Sequence, residues 1–165
     1  MTKSSGSLTE ITGPVERVRA FLREKGYPDE ITISEKTIFT VEDASLAVGA
    51  PPAHILKSLV FIADERPVLA LMSGVNKVNP KRVRDVCGAK KIRMADPDFV
   101  LSWSGYQVGG VPPVGYPEAV TALLDEDIFQ YPVVWAAAGS EHAFFPVSPE
   151  DLLKMTGGSR HPIKK

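Results

Sequence analysis

The chain has 165 residues, 44% of them hydrophobic and 24% charged, with a net charge of -1; that is room for one compact domain with a real core, and it excludes a disordered chain and an indiscriminate nucleic-acid binder. The apolar runs are too short to cross a bilayer and the polar start Met1–Ser7 lacks a signal core, so a cytoplasmic protein without a membrane partner is expected. The single Cys87 excludes an intramolecular disulfide and a cysteine metal cluster, and is expected as a packed structural thiol.

In chain order, Pro14 opens a helix whose face carries Val15, Val18, Phe21 and Leu22, and Gly26 with Pro28 ends it. Ile31, Ile33 and then Ile38 to Val41 suggest two short strands. Thr40 followed by Asp43 marks a helix cap, and that helix stops at Gly49 and Pro51-Pro52. Ile55 to Ala63 and Val68 to Ser73 read as a hairpin about the turn Asp64–Pro67. Asn79-Pro80 caps a basic helix ending near Gly88, Lys91 to Met94 adds a strand, and Asp96-Pro97 opens a helix running toward Gly105. Tyr116 to Leu124 fits either a strand or a helix. Tyr131 to Ala138 and Ala143 to Val147 are partner strands, and Ser148-Pro149 starts a last helix to Thr156. Strands and helices mix without a regular βαβ rhythm, which favours α+β. A single domain over 1–165 is expected, with 1–10 and 158–165 as flexible tails.

Two segments stand out. In Leu56-Lys57-Ser58-Leu59-Val60-Phe61, alternation puts Lys57 on the face of Ile55, Leu59 and Phe61, where an ammonium must find an anion, lose its proton, or snorkel along its stem to water. In Gly109-Gly110-Val111-Pro112-Pro113-Val114-Gly115, glycines let backbone N–H groups approach a ligand and prolines hold the turn, although a rigid surface turn has the same composition. Lys77, Lys81, Arg82, Arg84, Lys90, Lys91 and Arg93 crowd a stretch whose sole acid is Asp85: a local binding surface or a solvated face. There is no Gly-x-Ser-x-Gly elbow, His-Glu-x-x-His, Walker loop or dinucleotide fingerprint. With His54, His142 and His161 widely separated, no metal site is expected.

These segments, with Val134-Trp135-Ala136-Ala137-Ala138-Gly139-Ser140-Glu141-His142 before a short terminal helix, resemble the YbaK/EbsC-type aminoacyl-tRNA deacylases, relatives of the editing domain of bacterial prolyl-tRNA synthetases. The resemblance runs from about Val15 to Gly157. It implies a mixed, barrel-like sheet surrounded by helices, and hydrolysis of the ester joining a wrong amino acid to the terminal ribose of a tRNA, with no cofactor. It further implies catalytic roles for Lys57 and Gly110, and substrate contacts from Gly109, Pro112, Pro113, Gly115, Gly139 and His142. Lys81, Arg82, Arg84, Lys90 and Lys91 would meet the phosphates of the aminoacyl-tRNA, and an aminoacyl-tRNA synthetase would be a further partner from which tRNA specificity could be borrowed. A catalytically inactive tRNA- or synthetase-binding module and a small-molecule regulatory domain remain alternatives, since one fold hosts unrelated functions.

Overall fold

The computed structural model describes residues 13–165. The expected tail 1–10 lies outside the described residues.

Helix α1 (Pro14–Glu24) begins at its proline, and Val18 and Leu22 are its buried contacts. A short strand β1 (Thr32–Ile33) follows. The stretch expected as a strand at Ile38–Val41 is instead a loop running into α2 (Val41–Val48): Thr40 accepts from the Asp43 N–H while the Asp43 carboxylate accepts from the Thr40 N–H. That reciprocal cap fixes the chain's entry and draws residue 40 out of extended pairing. A single 3₁₀ turn, Pro52–His54, leads into the hairpin β2 (Leu56–Ala63) and β3 (Arg66–Ser73). Then come α3 (Pro80–Cys87), β4 (Ile92–Met94), α4 (Pro97–Ser104), β5 (Thr121–Asp125), the 3₁₀ turn Glu126–Gln130, β6 (Val134–Ala137), β7 (Ala143–Val147), α5 (Pro149–Thr156) and β8 (Ser159–His161). The ambiguous segment 116–124 is irregular chain ending in β5.

The strands form two open sheets, ordered β4-β2-β3-β5-β8 and β1-β7-β6. The expected barrel is therefore absent among the described residues: the two sheets pack against each other but are bridged along their backbones only at Ile55–Trp135 and do not close. The larger sheet is mixed, with β5 parallel to both β3 and β8 and the other pairs antiparallel. The fold is α+β.

Alternation along β2 and β3 gives the large sheet two covered faces. Leu56, Val60, Ile62, Leu69 and Leu71 join the main core with Val18 and Leu22 of α1, Val134 and Ala136 of β6, and Phe145. Phe61, Ala63, Val68 and Ala70 face Val83 of α3 and Ile163 in a second core. Lys57 lies on this second face, in line with Leu59 and Phe61, as alternation requires.

The expected tail at 158–165 is ordered. Ser159–His161 pairs in parallel with Leu123–Asp125, and Ile163 is completely buried. Gly158 permits this docking, since a Cβ there would lie 2.5 Å from the Ala122 carbonyl oxygen. Among the described residues no helix is long and apolar enough to cross a membrane.

Candidate active site

The strand carrying Lys57 has an incomplete edge. β2 pairs with β4 only through residues 61–63, and its sole backbone bridge toward β6 is Ile55–Trp135 just before the strand, which leaves residues 56–59 without a strand partner among the described residues on the side away from β3. A cleft of about 230 Å³ opens there, formed by the loop before α2 (Ile38, Phe39), the β2 edge, and Val108, Gly109 and Val111. Among the described residues, Lys57 is the only charged one lining it.

The half-buried Lys57 donates from Nζ to the backbone carbonyl of Asn76. Burial first, and then the nearby Lys77 cation, push its pKa below the ordinary lysine value. Its neighbour Ser58 carries a buried hydroxyl with no hydrogen-bond partner among the described residues. Such an orphan costs about 1–3 kcal/mol. One wall of the cleft, Phe39, is 81% exposed.

The glycine-proline loop is fastened by two tyrosines that carry no motif in the sequence. The Tyr106 hydroxyl donates to the Gly115 carbonyl at 2.6 Å, and the Tyr116 hydroxyl to the Pro112 carbonyl at 2.7 Å. Burial pushes the Tyr106 pKa up to about 12 and raises that of Tyr116, so both remain donors at neutral pH. An Arg17 guanidinium stacks 4.3 Å from the Tyr106 ring centroid and anchors the arrangement to α1. Trp103 stacks on Tyr116 with ring centroids 5.3 Å apart, an order the sequence shows only as scattered Tyr and Trp.

The structure distributes the expected site residues over several places. Lys57 and Gly109 share the cleft. Gly110, Gly139 and His142 line an adjoining hollow of about 250 Å³, with Val108 common to both. Pro113 and Gly115 border a separate hollow of about 490 Å³ beside Phe21 and Tyr27, and Pro112 is buried.

Three of these residues also have structural contacts of their own. A Cβ at Gly139 (φ +93°) would lie 2.5 Å from the Pro14 carbonyl oxygen, so this glycine seats the β6–β7 turn on the start of α1. Gly115 (φ +93°) makes room for the Tyr106 hydroxyl. The His142 ring nitrogens face the Lys36 carbonyl at 3.1 Å and the Thr37 hydroxyl at 3.5 Å, tying the 34–37 loop to β7. Sequence reasoning does not single out Asn76, nor Ser58 and Ile38–Phe39 as cleft residues; a lone polar residue after a strand gives no local signal.

The basic residues sit on and after α3, over the same sheet face that Lys57 occupies. Lys81, Lys90 and Lys91 are exposed; Arg82 donates to the Pro162 carbonyl at 3.2 Å and Arg84 to Asp85 at 3.3 Å. Among the described residues no cluster of three His, Cys, Asp or Glu side chains is placed to hold a metal ion.

Comparison with known proteins places this geometry in a family. Residues 35–155 match the model of the aminoacyl-tRNA editing domain. The chain is 29% identical over 143 residues to the uncharacterized protein YwhH of Bacillus subtilis, covering 86% of this chain and 90% of that one. It is 37% identical over 89 residues to a proline–tRNA ligase of Nitratidesulfovibrio vulgaris, covering 54% of this chain but 16% of the ligase. A crystal structure described as a candidate trans-editing enzyme for prolyl tRNA synthetase superposes with a TM-score of 0.87 at 35% identity, covering 92% of this chain and 97% of that one. The chain belongs to the aminoacyl-tRNA editing domain family.

Proposed function

We propose that this protein deacylates mischarged aminoacyl-tRNA in trans, and that the cleft at the open edge of β2 is where the ester is cut. The observation that carries this reading is Lys57 as the single charged residue lining this cleft among the described residues, beside the conformationally special Gly109 (φ +100°). In water a lone cation is worth little, but against apolar walls it attracts a carbonyl or phosphate oxygen strongly.

An aminoacyl ester is already an activated acyl group. The site therefore needs to position water and the carbonyl rather than to build a strong nucleophile. Lys57 holds the carbonyl oxygen or a terminal phosphate, and the 108–111 backbone borders the aminoacyl moiety. Water adds to the ester carbon, the bond to the ribose oxygen breaks, and that oxygen leaves with a proton. The products are the free amino acid and the tRNA with its terminal hydroxyl restored. Among the described residues no carboxylate or histidine lines the cleft to act as a general base, which suits activation of water by a hydroxyl of the substrate ribose.

The amino acid removed is set by cleft volume, and a hydrophobic wall separates one methylene from the next by only about 1–3 kcal/mol. Alanine, serine and cysteine are the candidate residues. Deacylation measured on a panel of tRNAs charged with each, against Lys57→Ala, tests the proposal: the native chain should clear at least one and the variant should lose most of that rate. Binding without hydrolysis of any member would mark a non-catalytic module.

A further inference from the structure

We propose that Asn76, Asp127 and Lys164 form a clamp that holds the Lys57 ammonium in place, making them positioning residues for the editing cleft; this rests on the deacylase role of Lys57. A lysine head on a flexible four-carbon stem gives up rotamer freedom when fixed, so a fixed position requires a fixed acceptor. That acceptor is the carbonyl of Asn76, in the turn after β3.

The turn is itself held from the far end of the chain. The Asn76 side-chain amide donates to Asp127 Oδ2 at 2.9 Å, and Lys164 Nζ donates to the same oxygen at 2.6 Å. The backbone N–H groups of Ile163 and Lys164 donate to the fully buried Asp125 carboxylate at 2.9 and 3.2 Å. Two backbone bonds complete the seam, from the Asn79 N–H to the Ile163 carbonyl and from the Lys165 N–H to the Lys77 carbonyl, each 2.8 Å. The residue whose carbonyl takes the ammonium is thus the one whose side chain enters the ionic cluster. An arrangement needed for stability alone has no reason to share that residue with Lys57.

A double-mutant cycle with a second, activity-independent readout tests this. Asn76→Ala keeps the carbonyl and removes its anchor; Asp127→Asn keeps the shape and removes the charge that binds Lys164. Each should lower kcat for deacylation between about 10- and 100-fold with KM little changed, as misplacement of a positioning group does. In the Lys57→Ala background neither should lower the residual rate further. In parallel, the rate of acetylation of Lys57 by an N-hydroxysuccinimide ester, followed by mass spectrometry, should rise in both variants while that of Lys90 stays constant. Equal losses in both backgrounds, or an unchanged Lys57 acetylation rate, would overturn the clamp. Should Lys57→Ala itself leave deacylation intact, the deacylase role of Lys57 falls, and the acetylation rates still decide whether Asn76 and Asp127 hold its ammonium.

Discussion

Gly110 lies directly on the backbone of Ser140: a Cβ there would stand 2.7 Å from the Ser140 Cα and 2.8 Å from its carbonyl carbon and nitrogen. The contact joins the 107–111 loop, which borders the Lys57 cleft, to the β6–β7 turn, which borders the adjoining hollow. Sequence alone suggests that glycine at 110 lets the backbone meet a ligand. In the structure it also lets the backbone meet the Ser140 backbone, while the residue borders the adjoining hollow.

Gly110→Ala should therefore act on stability as well as on catalysis. Neither side of the contact is a flexible side chain, so the loop must move, at a cost of about 1–3 kcal/mol typical of overpacking. For a chain of this size that is a fall in Tm of roughly 2–4 °C per kcal/mol. Thermal unfolding with unchanged Tm in Gly110→Ala would show that the loop relaxes without cost.

A second expectation concerns the charge state of Lys57. Burial and the Lys77 cation both lower its pKa from 10.5, so it should titrate below the exposed lysines when followed by NMR of carbon-labelled lysine side chains. Lys77→Gln removes one of the two causes and should move the titration part of the way back up. The sign for stability follows. Between the lowered folded pKa and the ordinary unfolded one, the unfolded chain binds more protons at this site, so this residue makes stability rise with pH across that window. A Lys57 that titrates with the exposed lysines would remove the electrostatic description of the cleft.

The hairpin turn offers a test away from the site. Asp64 and Glu65 both have positive φ, 46° and 75°, the turn geometry that suits the twist of β2 and β3 but penalises side chains. Asp64 has a use there, since its carboxylate accepts the Lys90 and Lys91 N–H groups, each at 2.9 Å, and these bonds hold its pKa below the ordinary value. Among the described residues the Glu65 carboxylate has no such partner. Glu65→Gly should leave stability equal or raise it by up to about 1 kcal/mol, whereas Asp64→Gly should lower it. Equal melting temperatures for the two variants would mean that the Asp64 bonds contribute nothing.

Much of the fold is legible because its signals are local. Thr40 with Asp43, Asn79 before Pro80, Asp96 before Pro97 and Ser148 before Pro149 each cap the helix expected of them. Alternation places Lys57 on the face of Leu59 and Phe61. What escapes is non-local. Ser159-Arg160-His161 has no apolar period, because β8 is held by backbone pairing to β5, and only Gly158 and the buried Ile163 mark its docking. Whether two sheets close into a barrel depends on edges far apart in sequence, and here, among the described residues, their backbones are bridged only at Ile55–Trp135. The partner of Lys57 lies 19 residues away at Asn76, and that of Asn76 a further 51 away at Asp127. No spacing rule reaches that far.

Whether the basic stretch meets tRNA is best asked of a few of its residues. Arg82 holds the Pro162 carbonyl, so reversing it disturbs the seam between α3 and the last residues, and Arg84 already has Asp85 as a partner. Lys81, Lys90 and Lys91 are exposed, and no salt bridge engages their ammonium groups among the described residues. Their backbone N–H bonds survive substitution. If all three meet phosphates, the triple variant Lys81→Glu, Lys90→Glu, Lys91→Glu should raise KM for aminoacyl-tRNA while single-turnover chemistry at saturation stays nearly intact, because such groups position rather than react. The dependence of log affinity on log salt should flatten by about 0.7–0.9 for each phosphate no longer neutralised, hence by about 2–3 in all. A small aminoacyl ester that lacks the tRNA body should be cleaved by the variant and the native chain alike. An unchanged KM and salt slope would make these lysines a solvated face and move the tRNA surface to another side of the cleft.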